Sequence, residues 1–179
     1  MTTKAYFFLV ILFLFSLPME SMALSNDRDQ PIDLEADAAD IDDAKGISIY
    51  TGNVVLTQGS MQIKAHKLTL YNNKNNELEK AIAEGSSKKL TTFKQRPEGK
   101  DNDFFARSEK IIYYLTQSKI HLLKKAYVSQ DGDIFRGNKI VYDTKNETIV
   151  ASSEKNKEGQ PVANGERIHI TLQPRSNNK

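Results

Sequence analysis

The chain contains no cysteine and no tryptophan among its 179 residues. The absence of cysteine excludes disulfides, thiolate nucleophiles and cysteine-ligated zinc. The core must therefore be built from aliphatic residues, eight phenylalanines and seven tyrosines. Charge of one sign is also missing, since 25 lysines and arginines are interspersed with 23 acids. A nucleic-acid-binding protein shows a basic stripe instead, so we expect no nucleic-acid partner.

A long hydrophobic run occurs only near the N-terminus. It covers residues 5–17, after the basic Lys4 and before Pro18. A helix of this length reaches about 20 Å, which is short of the roughly 30 Å hydrocarbon core of a bilayer. Ser21-Met22-Ala23 then supplies small residues at the −3 and −1 positions of a cleavage site. This order predicts a signal peptide over residues 1–23, a mature domain over 24–172 and a disordered polar tail over 173–179. The alternative is an uncleaved membrane anchor.

Five segments of the chain repeat one pattern. A small residue is followed by a polar residue, then in four copies by lysine or arginine, and then by an aliphatic residue. The small residues are Ala36, Ala65, Ser108, Gly137 and Gly165. Apolar residues alternate up to the small residue and resume one position out of phase after it. Because strand side chains alternate between faces, such a slip indicates a bulge or bend that keeps the apolar residues on one side.

Valine, isoleucine, threonine and tyrosine dominate the periodic segments, which favours strands. Turn signals stand at 51–53, 84–86, 97–99 and 131–132, and polar stretches over 72–80 and 95–103 are interpreted as loops. We predict an all-β fold of ten or more short antiparallel strands, stacked and bent like a solenoid. The alternation assigns to the inner face Ile32, Leu34, Val54, Leu56, Ile63, Leu68, Phe93, Ile111, Tyr113, Leu115, Leu122, Phe135 and Ile140. The pattern alone does not distinguish a dry core from a lipid groove.

No motif for catalysis or for phosphate binding occurs in the chain. His121 and His169 alternate with aliphatic residues and are expected to face solvent. Acids cluster over residues 33–43, where they suit either a calcium site or the protection of a terminal strand from aggregation. We therefore expect no enzyme activity and no cofactor, and we assign no metal site.

Several motifs together resemble a known family. They are DQPI at 29–32, TGNVVLTQG at 51–59, IKAHK at 63–67, TFKQ at 92–95 and GNKI at 137–140. In this order they are similar to the OstA-like family, which includes periplasmic lipopolysaccharide transport proteins. The similarity spans the mature chain but departs from the family pattern over 72–103, which leaves the strand boundaries there open.

The resemblance implies a twisted, V-shaped β-jelly roll with an open hydrophobic groove in the periplasm. Its ligand would be lipopolysaccharide, with the acyl chains of lipid A against the inner-face residues named above. Head-to-tail homo-oligomers would bridge the inner-membrane lipopolysaccharide export complex and the outer-membrane translocon. The oligomer edges would be Ile32, Leu34 and Ala36 on one side and Ile168, Ile170 and Leu172 on the other. The alternatives are a membrane-anchored relative in the same pathway and a structural β-repeat protein without a lipid ligand.

Overall fold

The computed structural model describes residues 27–97, 99–153 and 167–174. After a 3-10 turn at Asp27–Asp29, these residues form twelve strands: β1 Asp33–Glu35, β2 Ala38–Asp42, β3 Ile47–Gln58, β4 Met61–Asn72, β5 Leu78–Glu84, β6 Thr91–Gln95, β7 Phe104–Ser108, β8 Lys110–Tyr114, β9 Lys119–Gln130, β10 Asp133–Asp143, β11 Thr148–Ser152 and β12 His169–Thr171. The predicted all-β class is confirmed. In these ranges no helix is long and apolar enough to cross a membrane. The predicted signal peptide, Gly165 and residues 175–179 lie outside the described residues.

Antiparallel pairing divides the strands between two layers. The first layer contains β1, the second half of β3, the first half of β4, β6, β7, the second half of β9, the first half of β10 and β12. The second layer contains β2, β5, β8, β11 and the remaining halves of the long strands. The long strands β3, β4, β9 and β10 thus run from one layer into the other. The result is a β-jelly roll, as the resemblance implied.

The layers join along a line of corners, which coincide with the small residues of the repeat. Pairing of β10 with β9 shifts between Gly137 and Lys139, and the pairing of β4 with β3 shifts just after Ala65. β7 ends at Ser108 and β8 begins two residues later in the other layer. Ala36 lies between β1 and β2 in the same way. The predicted phase slip therefore marks the passage of the chain from one layer to the other.

The strands β3 and β9 both run from the second layer into the first. Each turns the corner with two consecutive residues in the left-handed backbone conformation. In β3 these are Gly52 at φ 79° and Asn53 at φ 45°, which tolerate this region of backbone space. In β9 they are Lys124 at φ 61° and Lys125 at φ 51°. A long side chain has no local means of relieving this conformation, which costs about 1 kcal/mol per residue. The same corner is thus relaxed in β3 and strained in β9.

Two sequence expectations about boundaries were wrong. Residues 51–53 do not separate two strands but lie inside β3, because Thr51 pairs with Ala38 and Lys67, and Val54 pairs with Ala65 on the far side of the corner. The polar stretch 72–80 is not all loop, since β5 begins at Leu78. Glycine and asparagine resemble a turn signal here because a corner within a strand needs the same left-handed backbone as a hairpin.

Candidate lipid-binding interior

Three ladders of inward-facing side chains run across the strands from one edge of the fold to the other. In the first layer the ladder is Leu34, Leu56, Ile63, Phe93, Ala106, Val128, Phe135 and Ile170. In the second layer one ladder is Ile41, Ser48, Leu70, Ala81, Tyr113, Ile120, Tyr142 and Ile149, and the other is Ala39, Tyr50, Leu68, Ala83, Ile111, Leu122, Ile140 and Ala151. Cross-strand neighbours on one face touch. The interior is therefore an almost unbroken apolar path along the molecule.

The inner-face residues expected from the sequence converge on this path. Nine of them belong to the buried core: Val54, Leu56, Ile63, Leu68, Phe93, Ile111, Tyr113, Leu122 and Ile140. Leu34, Leu115 and Phe135 are half-buried and pack against that core. Ile32 lies just before β1 and is 44% exposed. The path is thus packed in its middle and open at its two ends.

Aromatic rings close the middle of the path by bridging the two layers. Phe104 of the first layer stacks on Tyr142 of the second, with ring centroids 4.2 Å apart and planes at 12°. Phe93 meets both Phe104 and Tyr113 edge to face, at 6.0 and 5.9 Å. Burial raises the pKa of Tyr142 to about 12, and the nearby charge of Glu147 adds to this rise. The tyrosine therefore stays neutral inside the interior.

Sequence reasoning did not identify Phe104 as an interior residue, although it is 1% exposed. A signal for it was present. Apolar residues alternate up to the small residue Ser108, and Phe104 lies four residues before Ser108, in the same phase as Ala106. Because Phe104 directly follows the polar stretch 95–103, which was interpreted as a loop, it was not included in the strand that follows.

A hollow of about 730 Å³ opens between the layers where the path reaches the C-terminal side. Phe135 of the first layer and Ile149 of the second form its apolar floor, while Asp131 and Asp133 lie among its polar lining. At its rim the Lys100 ammonium, from the β6–β7 loop, lies 3.3 Å from the Glu147 carboxylate, from the β10–β11 turn. This ion pair spans the gap between the layers on the side opposite the corners. Such a hollow combines an apolar floor with a charged rim.

Among the described residues, no further strand pairs with the outer edges at either end of the fold. β1 and β2 form one end, and β11 and β12 form the other. The large apolar side chains that are exposed in the described ranges are Ile32, Ile41, Val150, Ile168, Ile170 and Leu172. All of them lie on or beside these edge strands. Ala36, also exposed, connects β1 to β2.

Two of the three histidines, His121 and His169, lie on the outer faces. His121 lies on the outer face of the second layer with its ring 5.0 Å from that of Tyr114, and burial together with Lys139 and Lys119 lowers its pKa. His169 is exposed on β12. Among the described residues no group of three or more histidine, aspartate or glutamate side chains is placed to hold a metal ion.

These features define a class of protein: a two-layered β-jelly roll with a continuous apolar interior and two open edges. The family model described as "LptA/(LptD N-terminal domain) LPS transport protein" matches residues 33–148. The chain belongs to this family.

Relatives with known names agree with this membership. The chain is 35% identical over 155 residues to the lipopolysaccharide export system protein LptH of Pseudomonas aeruginosa, covering 87% of this chain and 86% of the relative. It is 29% identical over 144 residues to LptA of Escherichia coli K12, covering 80% and 76% respectively. The crystal structure of LptH, titled the LptA homologous periplasmic component of the lipopolysaccharide transport device from Pseudomonas aeruginosa, superposes with a TM-score of 0.71 at 34% identity. It covers 83% of this chain and 99% of that one.

Proposed function

We propose that this protein binds lipopolysaccharide in the periplasm and carries it between the two membranes, with the acyl chains of lipid A held between its layers. The observation that carries this proposal is the set of ladders that cross the whole fold and end in exposed apolar side chains, such as Ile41 at 57% and Ile170 at 50% exposure. In a protein with a closed core, polar residues would cover the last apolar side chains of each ladder. Family membership supports the same function.

The energetics of the ligand require such a path. Each CH₂ group moved out of water gains about 0.8 kcal/mol, so a lipid with several acyl chains does not cross an aqueous compartment unshielded. The middle of the interior is packed in the structure, with Phe93 and Leu122 fully buried. Acyl chains must therefore separate the two layers and replace contacts between them, such as the stacking of Phe104 on Tyr142. The hollow floored by Phe135 and Ile149 is the entrance or exit that we propose for them.

Subunits are proposed to join head to tail through their edges. Unpaired edge strands expose N–H and C=O groups that another strand can bind. Alternation points Asp33 and Glu35 outward on the edge strand β1. At the opposite edge His169 points outward on β12, and its register partner Arg136 points outward on the neighbouring strand β10. Joining these edges would pair acid with base outside and continue the apolar ladders inside. Because this contact does not close on itself, it yields chains of subunits.

Such chains would connect the inner-membrane lipopolysaccharide export complex to the outer-membrane translocon. After export, cleavage of the predicted signal peptide 1–23 would release the protein into the periplasm with a mature N-terminus at Leu24. N-terminal sequencing of protein from the periplasmic fraction tests this step. Recovery of the uncleaved segment would instead assign the chain to the membrane-anchored relatives of the pathway.

Photo-crosslinking tests the interior as the lipid site. The probes are placed in the interior at Leu34, Phe93, Tyr113 and Leu115, and on the outer faces at His121 and His169. We expect lipopolysaccharide to be captured by the interior probes and not by the outer ones. Equal capture by both sets would show nonspecific adhesion and overturn the proposal.

The packed middle favours one second candidate, a structural β-repeat protein with a filled core and no lipid. Native mass spectrometry of the mature protein distinguishes the two. A mass increase by whole lipopolysaccharide molecules supports transport, and an unchanged mass at saturating lipid supports the structural role.

A further inference from the structure

The strained corner of β9 stands out when it is compared with its equivalent in β3. Both corners use two consecutive left-handed residues, but β3 places Gly52 and Asn53 there and β9 places Lys124 and Lys125. Glycine and asparagine are the residues that this backbone favours. The β3 corner avoids backbone strain, whereas the β9 corner retains it. This difference points to a role for the lysine side chains themselves.

The two lysines face a hollow of about 610 Å³ on the corner side of the molecule. Its other walls are the β5–β6 loop, which contributes Lys88 and Lys89, and the β7–β8 corner, which contributes Lys110. Only two carboxylates line it, Glu84 and Glu109. The hollow is thus lined by more positive than negative charge, and a concave surface concentrates the field of that charge.

Ion pairing accounts for only part of this positive charge. The Lys110 ammonium lies 3.0 Å from the carboxylate of Glu84, and that of Lys125 lies 2.8 Å from Glu109. The hydrogen bond from Lys125 lowers the pKa of Glu109, and the charges of Lys125 and Lys124 contribute to the same shift. No ion pair within the described ranges involves Lys88, Lys89 or Lys124.

The loop that holds two of these lysines is ordered by its own hydrogen bonds. The backbone N–H groups of Lys88 and Lys89 donate to the Ser86 hydroxyl at 3.3 and 3.1 Å. The Ser86 N–H donates to the Lys89 carbonyl at 2.8 Å. Across the hollow, the Glu109 N–H donates to the Lys124 carbonyl at 3.0 Å, which fixes the β9 corner against the β7–β8 corner. The backbone segments that carry these lysines are therefore held in place on both sides of the hollow.

We propose that this hollow binds a phosphate group, through the ammonium groups of Lys88, Lys89 and Lys124. Lysine is a compact cation with three N–H donors, and several lysines around one concavity suit a compact anion with several acceptor oxygens. Free phosphate and the headgroup of an anionic phospholipid share this chemistry. The site lies on the corner side, away from the gap between the layers, so it is independent of the lipid path proposed above.

The test uses a variant that keeps the fold. The double substitution Lys124→Gly and Lys125→Asn gives β9 the residues of the β3 corner, so we expect its Tm to equal or exceed that of the wild type, by about 3 °C when the strain is relieved. The control variant, Lys80→Gln with Lys119→Gln, removes two positive charges from the outer face of the second layer. These two lysines flank Tyr114 in the register and do not line the hollow.

Amide NMR spectra are recorded during titration with sodium phosphate, against sodium chloride of equal ionic strength. Co-sedimentation is measured with vesicles of phosphatidylglycerol and phosphatidylcholine, and with vesicles of phosphatidylcholine alone. We expect phosphate to shift the amides around residues 86–89 and 124–125 in the wild type and the control. The shifts should be lost in the corner variant.

Loss of at least tenfold in anionic-vesicle binding by the corner variant alone, without phosphate shifts, would assign the site to lipid headgroups. The proposal is overturned if the wild type responds to neither ligand, or if the control variant loses as much binding as the corner variant.

Discussion

Replacement of Phe104 by alanine tests whether the aromatic closure is a removable part of a lipid path. The ring is buried, stacks on Tyr142 and meets Phe93 edge to face. Truncation of a buried phenylalanine costs about 3–5 kcal/mol, of which the aromatic contacts contribute about 1 kcal/mol. For a domain of this size we expect the Tm to fall by about 10 °C.

Lipid should reverse much of this loss. A ligand at one hundred times its Kd stabilises a protein by about 2.7 kcal/mol. In the wild type, acyl chains must first separate Phe104 from Tyr142, whereas in the variant that space is already open. We therefore expect lipopolysaccharide to raise the Tm of Phe104→Ala by more than it raises that of the wild type.

Phe105→Ala is the matched control, because Phe105 is the next residue of the same strand and points outward against Tyr127. Thermal unfolding of the three proteins, with and without lipopolysaccharide, is the assay. If the lipid stabilises Phe104→Ala no more than it stabilises the wild type and Phe105→Ala, the closure is part of a permanent core and the reasoning fails.

Three further outcomes follow from the same structure. Leu115→Asp should weaken lipopolysaccharide binding by at least tenfold while lowering stability by no more than about 2 kcal/mol, because the side chain is only half-buried; unfolding of this variant, seen by circular dichroism, would contradict an opening between the layers. Removal of residues 164–179 deletes the β12 edge and should leave a folded protein that no longer forms chains in light scattering; unchanged oligomers would show that other surfaces join. Because the pKa of Tyr142 is raised to about 12, the native state keeps its proton where the unfolded chain loses it, so stability should fall as pH rises from about 10 to 12; Tyr142→Phe keeps the stacked ring and should lose less stability over that range in urea unfolding, and identical pH profiles would refute the assignment.

In the proposed function the layers would separate at the ion pair between Lys100 and Glu147. Both side chains are partly exposed, and such pairs contribute about 0–1 kcal/mol. The rim of the hollow is therefore weakly held, in contrast to the corner line, where the backbone itself connects the layers.

The alternation of the strands and the positions of their corners could be predicted from the amino-acid sequence alone. Strand side chains alternate with a period of two, so the neighbouring residues in the sequence are enough to predict that Leu56, Ile63 and Ile140 face the interior. A phase slip after Ala65 or Gly137 likewise needs no knowledge of distant strands. For the same reason His121 and His169 could be assigned to the outside before any partner strand was known.

The contacts between the two layers could not be predicted in this way, because they depend on how the whole chain folds. The stacking of Phe104 on Tyr142 joins residues that are distant in sequence and lie in different layers, and neither residue encodes the other. The strand boundaries between Ala65 and Ser108 could not be predicted. Here the chain passes from β5 to β6 through a six-residue loop over 85–90, whereas β3 and β9 pass from layer to layer without interruption. The left-handed backbone at Lys124 and Lys125 could not be predicted either, since two adjacent lysines do not favour that conformation. Such a conformation is imposed by pairing on both sides of the corner, and pairing is a long-range property.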